Sequence, residues 1–309
     1  MQRRIPILVC LLLSLGVTGA MQDAYACACG CGVFSVGTSS LFPSGSGTTA
    51  WLEYDYMDQD ENWSGTSSAP VANNHDKNIR TDFYTAGLQY MINRDWGIMA
   101  EVPYWDRLSV TTLNNNSISG FHHDALGDIR LLGMYTGFSP DMSSSIIFGL
   151  KLPSGDYTYP NFDRDTSIGT GSTDTIIGGY HQGGLTNDNT WNWFLQAQWE
   201  RAFATRGGYR PGNELDAAIG IYYNGWSVGA NSQIAPQLKL IASDRLHDSG
   251  VQADSDNSGY QRLLIAPGME YDVDSLKLFA DVELPIYQDV NGNQLVASRL
   301  YKFILSYSY

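Results

Sequence analysis

The sequence predicts an all-β fold, an antiparallel up-and-down transmembrane β-barrel of about 12 strands. Three observations carry this. Apolar residues recur at every second position over much of the chain, the period of a strand with two unlike faces. The apolar faces tend to begin and end in Tyr or Trp, as interfacial girdles do. Long polar connections alternate with short ones, as outer loops alternate with periplasmic turns in outer-membrane barrels.

The 309 residues open with Met1-Gln2-Arg3-Arg4, an uncharged apolar run from Ile5 to Ala20, and then Ala24-Tyr25-Ala26. A basic start, a short apolar run and an A-x-A site read as a secretory signal peptide over residues 1–26. The run falls short of the roughly 20 apolar residues of a spanning helix. Residues 27–47 then form a periplasmic segment beginning Cys27-Ala28-Cys29-Gly30-Cys31. Closely spaced soft thiolates suit Cu or Zn, and this is the only cofactor the sequence suggests. Lipidation of Cys27 and a disulfide remain open beside it. Phe34, Val36, Leu41 and Phe42 are apolar enough to fold the segment against or into the barrel mouth, with Pro43 to Gly47 as a hinge.

Residues 48–309 make the barrel. Strands are expected to begin near Ala50, Ile79, Trp96, Leu126, Ser145, Thr173, Trp191, Glu214, Trp226, Tyr260, Leu276 and Ser298. In the seventh, Trp191, Trp193, Leu195, Ala197 and Trp199 alternate with Asn192, Phe194, Gln196, Gln198 and Glu200. Lipid on one side and a wet lumen on the other explain three tryptophans on one face. Long loops are expected at Asp58–Lys77, Asp106–Asp124 and Ser243–Gly259, and Asn224-Gly225 signals a tight hairpin. The chain ends Tyr301-Lys302-Phe303-Ile304-Leu305-Ser306-Tyr307-Ser308-Tyr309. That ending resembles the C-terminal signature read by the barrel-assembly machinery, an expected partner.

A net charge of -14 argues against nucleic acid, which needs a basic face. The expected partners are outer-membrane lipid and lipopolysaccharide outside and a small-molecule solute inside. The polar strand faces assign to the lumen Glu53, Asp55, Arg80, Asp82, Glu101, Asp128, Arg130, Lys151, Glu200, Glu214, Asp216, Arg262, Glu270, Lys277, Asp281, Glu283, Arg299 and Lys302. Acids outnumber bases in this set, so the pore should favour cations or neutral solutes over anions.

Four motifs resemble the meta-pathway phenol-degradation family of outer-membrane transporters. They are Glu101-Val102-Pro103-Tyr104, Gly127-Asp128-Ile129-Arg130, Gly149 to Asp156 and Gly171 to Tyr180. The resemblance implies a non-enzymatic passive channel for small hydrophobic or aromatic compounds. Two alternatives stay open. One is an outer-membrane protein that binds Cu or Zn through Cys27, Cys29 and Cys31. The other is an outer-membrane lipid hydrolase built around His247-Asp248-Ser249, with Asn257 brought in by loop folding. His122-His123-Asp124 also carries metal-capable side chains, but neighbouring residues on extended chain point apart.

Overall fold

The computed structural model describes residues 35–113 and 115–309. The expected signal peptide, Cys27, Cys29, Cys31 and Phe34 lie outside the described residues. The strands are β1 (Gly47–Gly65), β2 (Ser67–Ser68), β3 (Asp76–Met91), β4 (Trp96–Thr112), β5 (Ile118–Leu126), β6 (Arg130–Tyr135), β7 (Ser144–Lys151), β8 (Ser172–Gly184), β9 (Trp191–Thr205), β10 (Glu214–Tyr223), β11 (Trp226–Ser227), β12 (Ser232–Arg245), β13 (Tyr260–Val273) and β14 (Leu276–Ser308). Eleven of them close an antiparallel barrel, running β10, β9, β8, β7, β6, β4, β3, β1, β14, β13, β12 and back to β10. Three further strands, β2, β5 and β11, lie off this ring.

β14 is a bent hairpin. Its first limb pairs with β13 and its second with β1, and the chain turns at Gly292, where φ is 68°. The Ser308 N–H donates to the Ser275 carbonyl at 3.0 Å, so both limbs reach the same rim. Counting both limbs reconciles eleven strands with about 12 crossings. First and last strands zip together, with Thr48 and Tyr309 exchanging backbone hydrogen bonds of 2.9 Å.

The alternation read from the sequence sets which face is which. Leu52, Leu88, Ile98, Leu131, Phe148, Ile177, Leu195, Ile219, Leu238, Leu278 and Leu305 are all exposed on the outer wall. An apolar belt of this kind has lipid, not water, as its solvent. At the rim that carries both barrel termini, Trp96 meets Tyr135 at 4.8 Å and Trp191 meets Tyr223 at 5.3 Å between ring centroids. Tyr54 and Tyr84 pair at 5.2 Å further along the wall.

Two of the three expected loops are largely strand, whereas Ser243–Gly259 is a loop beyond Arg245. β1 runs to Gly65, pairing from Glu61 onward with β14 and at Trp63 and Ser64 with β2, and β3 starts at Asp76, so most of Asp58–Lys77 is strand. β4 and β5 likewise pair across much of Asp106–Asp124. Beyond the membrane both faces of a strand are wet, so backbone pairing continues after the hydrophobic period has gone. The strand expected from Trp226 is another correction: the ring strand starts at Ser232, and Trp226 belongs to the two-residue β11. The strand expected near Leu126 is split, with β5 ending at Leu126 and β6 starting at Arg130. Beyond Lys151 the chain turns inward instead of continuing the wall, and β5 pairs with β4 alone.

Candidate functional site

The lumen is filled from both ends. At the end carrying the termini, residues 35–46 enter the barrel. Val36 is 1% exposed and packs among Met57, Phe83, Phe194, Ile241, Leu264 and Leu300. The Gly37 N–H donates to the Gln196 Oε1 at 2.8 Å, and the Lys239 ammonium donates to the Gly37 carbonyl at 3.1 Å. Gly37 has φ of 88°, and an added Cβ would stand 2.9 Å from the Lys239 Nζ. Glycine therefore suits the position twice, by backbone and by space. Phe42 stacks on Tyr180 at 4.0 Å and meets Phe194 edge-on at 5.9 Å.

At the opposite end the connection 152–171 folds into the mouth. Its two arms meet at a neck where the Gly169 N–H donates to the Asp156 carbonyl at 2.7 Å. A Cβ on Gly169 would lie 2.4 Å from the Gly155 backbone, so the arms touch because neither has a side chain. Asp128, just before β6, pins the neck. Its carboxylate accepts from the Gly155 N–H (2.9 Å), the Thr170 N–H (2.8 Å) and the Thr170 hydroxyl (2.6 Å). The head is held by Arg107 of β4, which donates to the Thr166 carbonyl at 2.5 Å and to the Thr81 hydroxyl at 2.8 Å. Arg164 lies over the rings of Tyr157 and Tyr209, 4.8 Å from each. Ile168, 1% exposed, points into the lumen. Burial pushes the carboxyls of Asp163 and Asp165 in this loop above their ordinary value. Asp254 adds to the effect at Asp163, and Asp163, Asp248 and Asp76 add to it at Asp165.

Between the two closures lies a chamber of about 250 Å³. Trp51, Phe83, Met99, Trp105, Leu132 and Tyr180 give it an apolar, aromatic arc. Beside them, on β4, β6, β7, β8 and β9, stands an ion-pair network. Arg130 meets Glu200 at 3.0 Å and Glu101 at 3.9 Å, while Lys151 meets Asp174 at 2.6 Å and also pairs with Glu200. A second network lies on β1, β12 and β14, where Lys239 meets Asp281 at 2.6 Å and Glu283 at 3.6 Å, and Lys302 meets Glu53 at 3.2 Å. Removing one member of a buried pair costs about 3–5 kcal/mol. Lys239→Met is therefore expected to lower barrel stability by about that amount, read as a reduced urea midpoint of the folded band on unheated gels.

Most of the residues assigned to the lumen are found there. Glu214 accepts from the Tyr260 hydroxyl at 2.6 Å, and Asp216 accepts from the Ser243 hydroxyl. Arg262 lies over the Tyr260 ring at 4.3 Å, and Glu270 pairs with Lys277 at 3.0 Å. Arg80 and Asp82 are corrections, since both stand on the outer wall. Their inward neighbours are Thr81 and Phe83, and Asp82 accepts from the Tyr54 hydroxyl at 2.7 Å. They share the even parity of Tyr84, Ala86 and Leu88, and polarity alone does not override parity. Arg299 is also exposed beside inward-facing Leu300.

Sequence reasoning missed Arg107, Lys239 and Asp174. Arg107 fell in an expected loop, while Lys239 and Asp174 fell in the two strands with the weakest alternation. Lys239 was legible, because Leu238 and Leu240 flank it in period two.

Among the described residues no group of His, Cys, Asp and Glu is placed to hold a metal. His122 points out to Asp106 and His123 points in to stack on Tyr159 at 3.7 Å. Asp248 is fully buried and accepts from the Tyr209 hydroxyl (2.7 Å), the Gly212 N–H (2.8 Å) and Arg245 (2.6 Å). It anchors the loops that carry Tyr209 and Gly212.

No family model and no curated protein matches the sequence. Among solved structures, the chain is similar to an outer-membrane channel from Pseudomonas putida F1, at TM-score 0.62 and 11% identity, covering 89% of this chain and 100% of that one. It also aligns with the β domain of the Bordetella autotransporter BrkA (TM-score 0.49, 11% identity, 85% and 100% covered) and with a Pseudomonas aeruginosa FadL homologue (0.37, 10%, 85% and 90%). At such identities the likeness speaks to fold. The fold is that of a bacterial outer-membrane β-barrel.

Proposed function

We propose that this chain is a passive outer-membrane channel for small hydrophobic or aromatic compounds, seen with its lumen closed at both ends. The observation that carries the reading is the aromatic-walled chamber held between the N-terminal segment and the 152–171 loop. A pore for water-soluble ions has no use for a wall of Trp51, Phe83, Met99, Trp105 and Tyr180, whereas an apolar solute does. The motifs that resemble the meta-pathway phenol-degradation family converge on the same place. Glu101 and Pro103, Asp128 and Arg130, Lys151, and Tyr180 all line the chamber. Membership of that family is part of the proposal.

The residual ion pathway should be cation-selective. The chamber lining includes Glu53, Asp55, Glu101, Asp128, Asp165, Glu200 and Glu214 against Arg107, Arg130, Lys151, Arg164 and Arg245. A low-dielectric tube focuses such an excess. Planar bilayers under a salt gradient should show a reversal potential of the cation-selective sign, and anion selectivity would refute the charge assignment. Uptake of a tritiated monocyclic aromatic into liposomes, faster with protein than without, tests the solute class.

Metal binding at Cys27, Cys29 and Cys31 remains a second reading. It rests on the close spacing of the three thiols in the sequence, which suits a soft metal. Native mass spectrometry of the mature chain would show stoichiometric Cu or Zn, a diacylglyceryl group on Cys27, or a disulfide.

A further inference from the structure

The polar groups of the chamber are mostly satisfied within the protein. Arg107 and Arg164 donate to loop carbonyls, Arg130 and Lys151 are in the Glu200 network, and Arg245 meets Asp248. Glu53 is held by Lys302, Glu101 by Arg130 and Glu214 by Tyr260. Asp128 is filled by the loop neck. Two carboxyls keep a buried oxygen with no hydrogen-bond partner: Asp165, on the loop itself, and Asp55, on the rigid wall.

Asp55 is 2% exposed and belongs to the chamber lining, and its Oδ1 is the unpartnered atom. Cross-strand register places it beside Phe83, and Phe83 beside Trp105. Those two rings meet edge to face at 4.9 Å. Asp55 thus stands at the polar margin of the aromatic arc. The surrounding wall is rich in acceptors, since Glu53, Asp281 and Glu283 share the ammonium groups of Lys239 and Lys302. A solute carboxylate would find like charge there. A solute that brings its own N–H or O–H would supply the missing donor.

We propose that Asp55 is the polar anchor of the chamber, accepting a hydrogen bond from the hydroxyl or amino group of a small aromatic solute whose ring lies against Phe83 and Trp105. This rests on the aromatic-solute reading above and adds to it a selectivity for hydrogen-bond donors over both bare hydrocarbons and carboxylates.

The test is calorimetric titration of the full-length protein in detergent with toluene, para-cresol, benzylamine and benzoate. Para-cresol and benzylamine should bind about 10-fold or more tighter than toluene, the worth of satisfying one buried acceptor, and benzoate should bind weakest. Asp55→Leu should erase the advantage of both donors while toluene binding persists. Asp55→Asn, close in shape, should keep part of the cresol preference through its amide oxygen and lose most of that for benzylamine. Heat-modifiable migration verifies that each variant is folded. Equal affinity for toluene and the two donors in the native protein, or a donor preference that survives Asp55→Leu, overturns the anchor and leaves the aromatic channel standing. Failure of all four probes to bind overturns both.

Discussion

Replacing Val36 by Asp should expel the N-terminal segment from the lumen and turn a closed barrel into a conducting one. Val36 is the deepest apolar residue of that segment, inserted among side chains from five or more strands of the ring. Its socket of Met57, Phe83, Phe194, Ile241, Leu264 and Leu300 carries no donor, and the cations that reach its neighbours, Arg130 at Ser35 and Lys239 at Gly37, are already committed to Glu200 and Asp281. A buried unpaired charge costs about 3–5 kcal/mol. Each 1.4 kcal/mol is tenfold, so the inserted state should lose roughly two to three orders of magnitude of its population. The Gly37 hydrogen bonds to Gln196 and Lys239 depend on the same insertion and would be lost with it. The barrel itself closes through the β1–β14 seam and does not depend on residues 35–46, so Val36→Asp should still fold and shift on unheated gels. The measurement is single-channel conductance: larger and longer openings than the native protein, with Val36→Leu behaving like native. Unchanged conductance in a folded Val36→Asp barrel would show that the segment does not close the lumen.

How much of this was legible in the sequence depends on which solvent each face meets. Where a strand crosses lipid, one face must be apolar, and the period of two in 191–200 or 276–286 assigns in and out residue by residue. Phe194, apolar on the expected lumen face, is fully buried against the inserted segment, and so marks a place where the lumen is not wet. Where the strands stand clear of the membrane the period disappears. Arg107 was lost to an expected loop for that reason. Arg80 and Asp82 show the converse error, in which charge was allowed to outweigh parity. The loop 152–171 is the hardest case. It has no period at all, and its inward course depends on the glycine pair at the neck and on one carboxylate, Asp128, that stands 24 residues before the loop begins. Asp128 stands in the Gly-Asp-Ile-Arg motif, but nothing in four residues says that its partners are Gly155 and Thr170.

That carboxylate sets the second large effect. Asp128→Ala should release the 152–171 loop from the mouth, and the loop's closure should in addition weaken as pH rises. Asp128 accepts from two backbone N–H groups and a hydroxyl at the neck. Hydrogen bonds to a charged group contribute about 1.5–3 kcal/mol each, and bonds sharing one acceptor are not additive, so the loss is roughly 3–5 kcal/mol. The pH dependence comes from the head. Asp163 and Asp165 titrate above the ordinary value of 3.8 while the loop is closed, first because they are buried and then because acidic groups surround them. Released into water they return toward that ordinary value. The closed loop therefore binds protons more tightly than the open one. Closure is strongest at and below the ordinary carboxylate range and is lost progressively as pH climbs through the raised values. Limited proteolysis reports the open fraction directly, by cleavage after Arg164 with trypsin, read at several pH values with a control substrate to correct for the protease's own profile. The native protein should resist cleavage at the acid end and yield as pH rises. Asp128→Ala should be cut readily at every pH, and Asp163→Asn with Asp165→Asn should resist cleavage with little pH dependence. Cleavage of the native loop that is flat with pH would remove the two aspartates from the control of the mouth, and an Asp128→Ala loop as resistant as native would remove Asp128 as its pin.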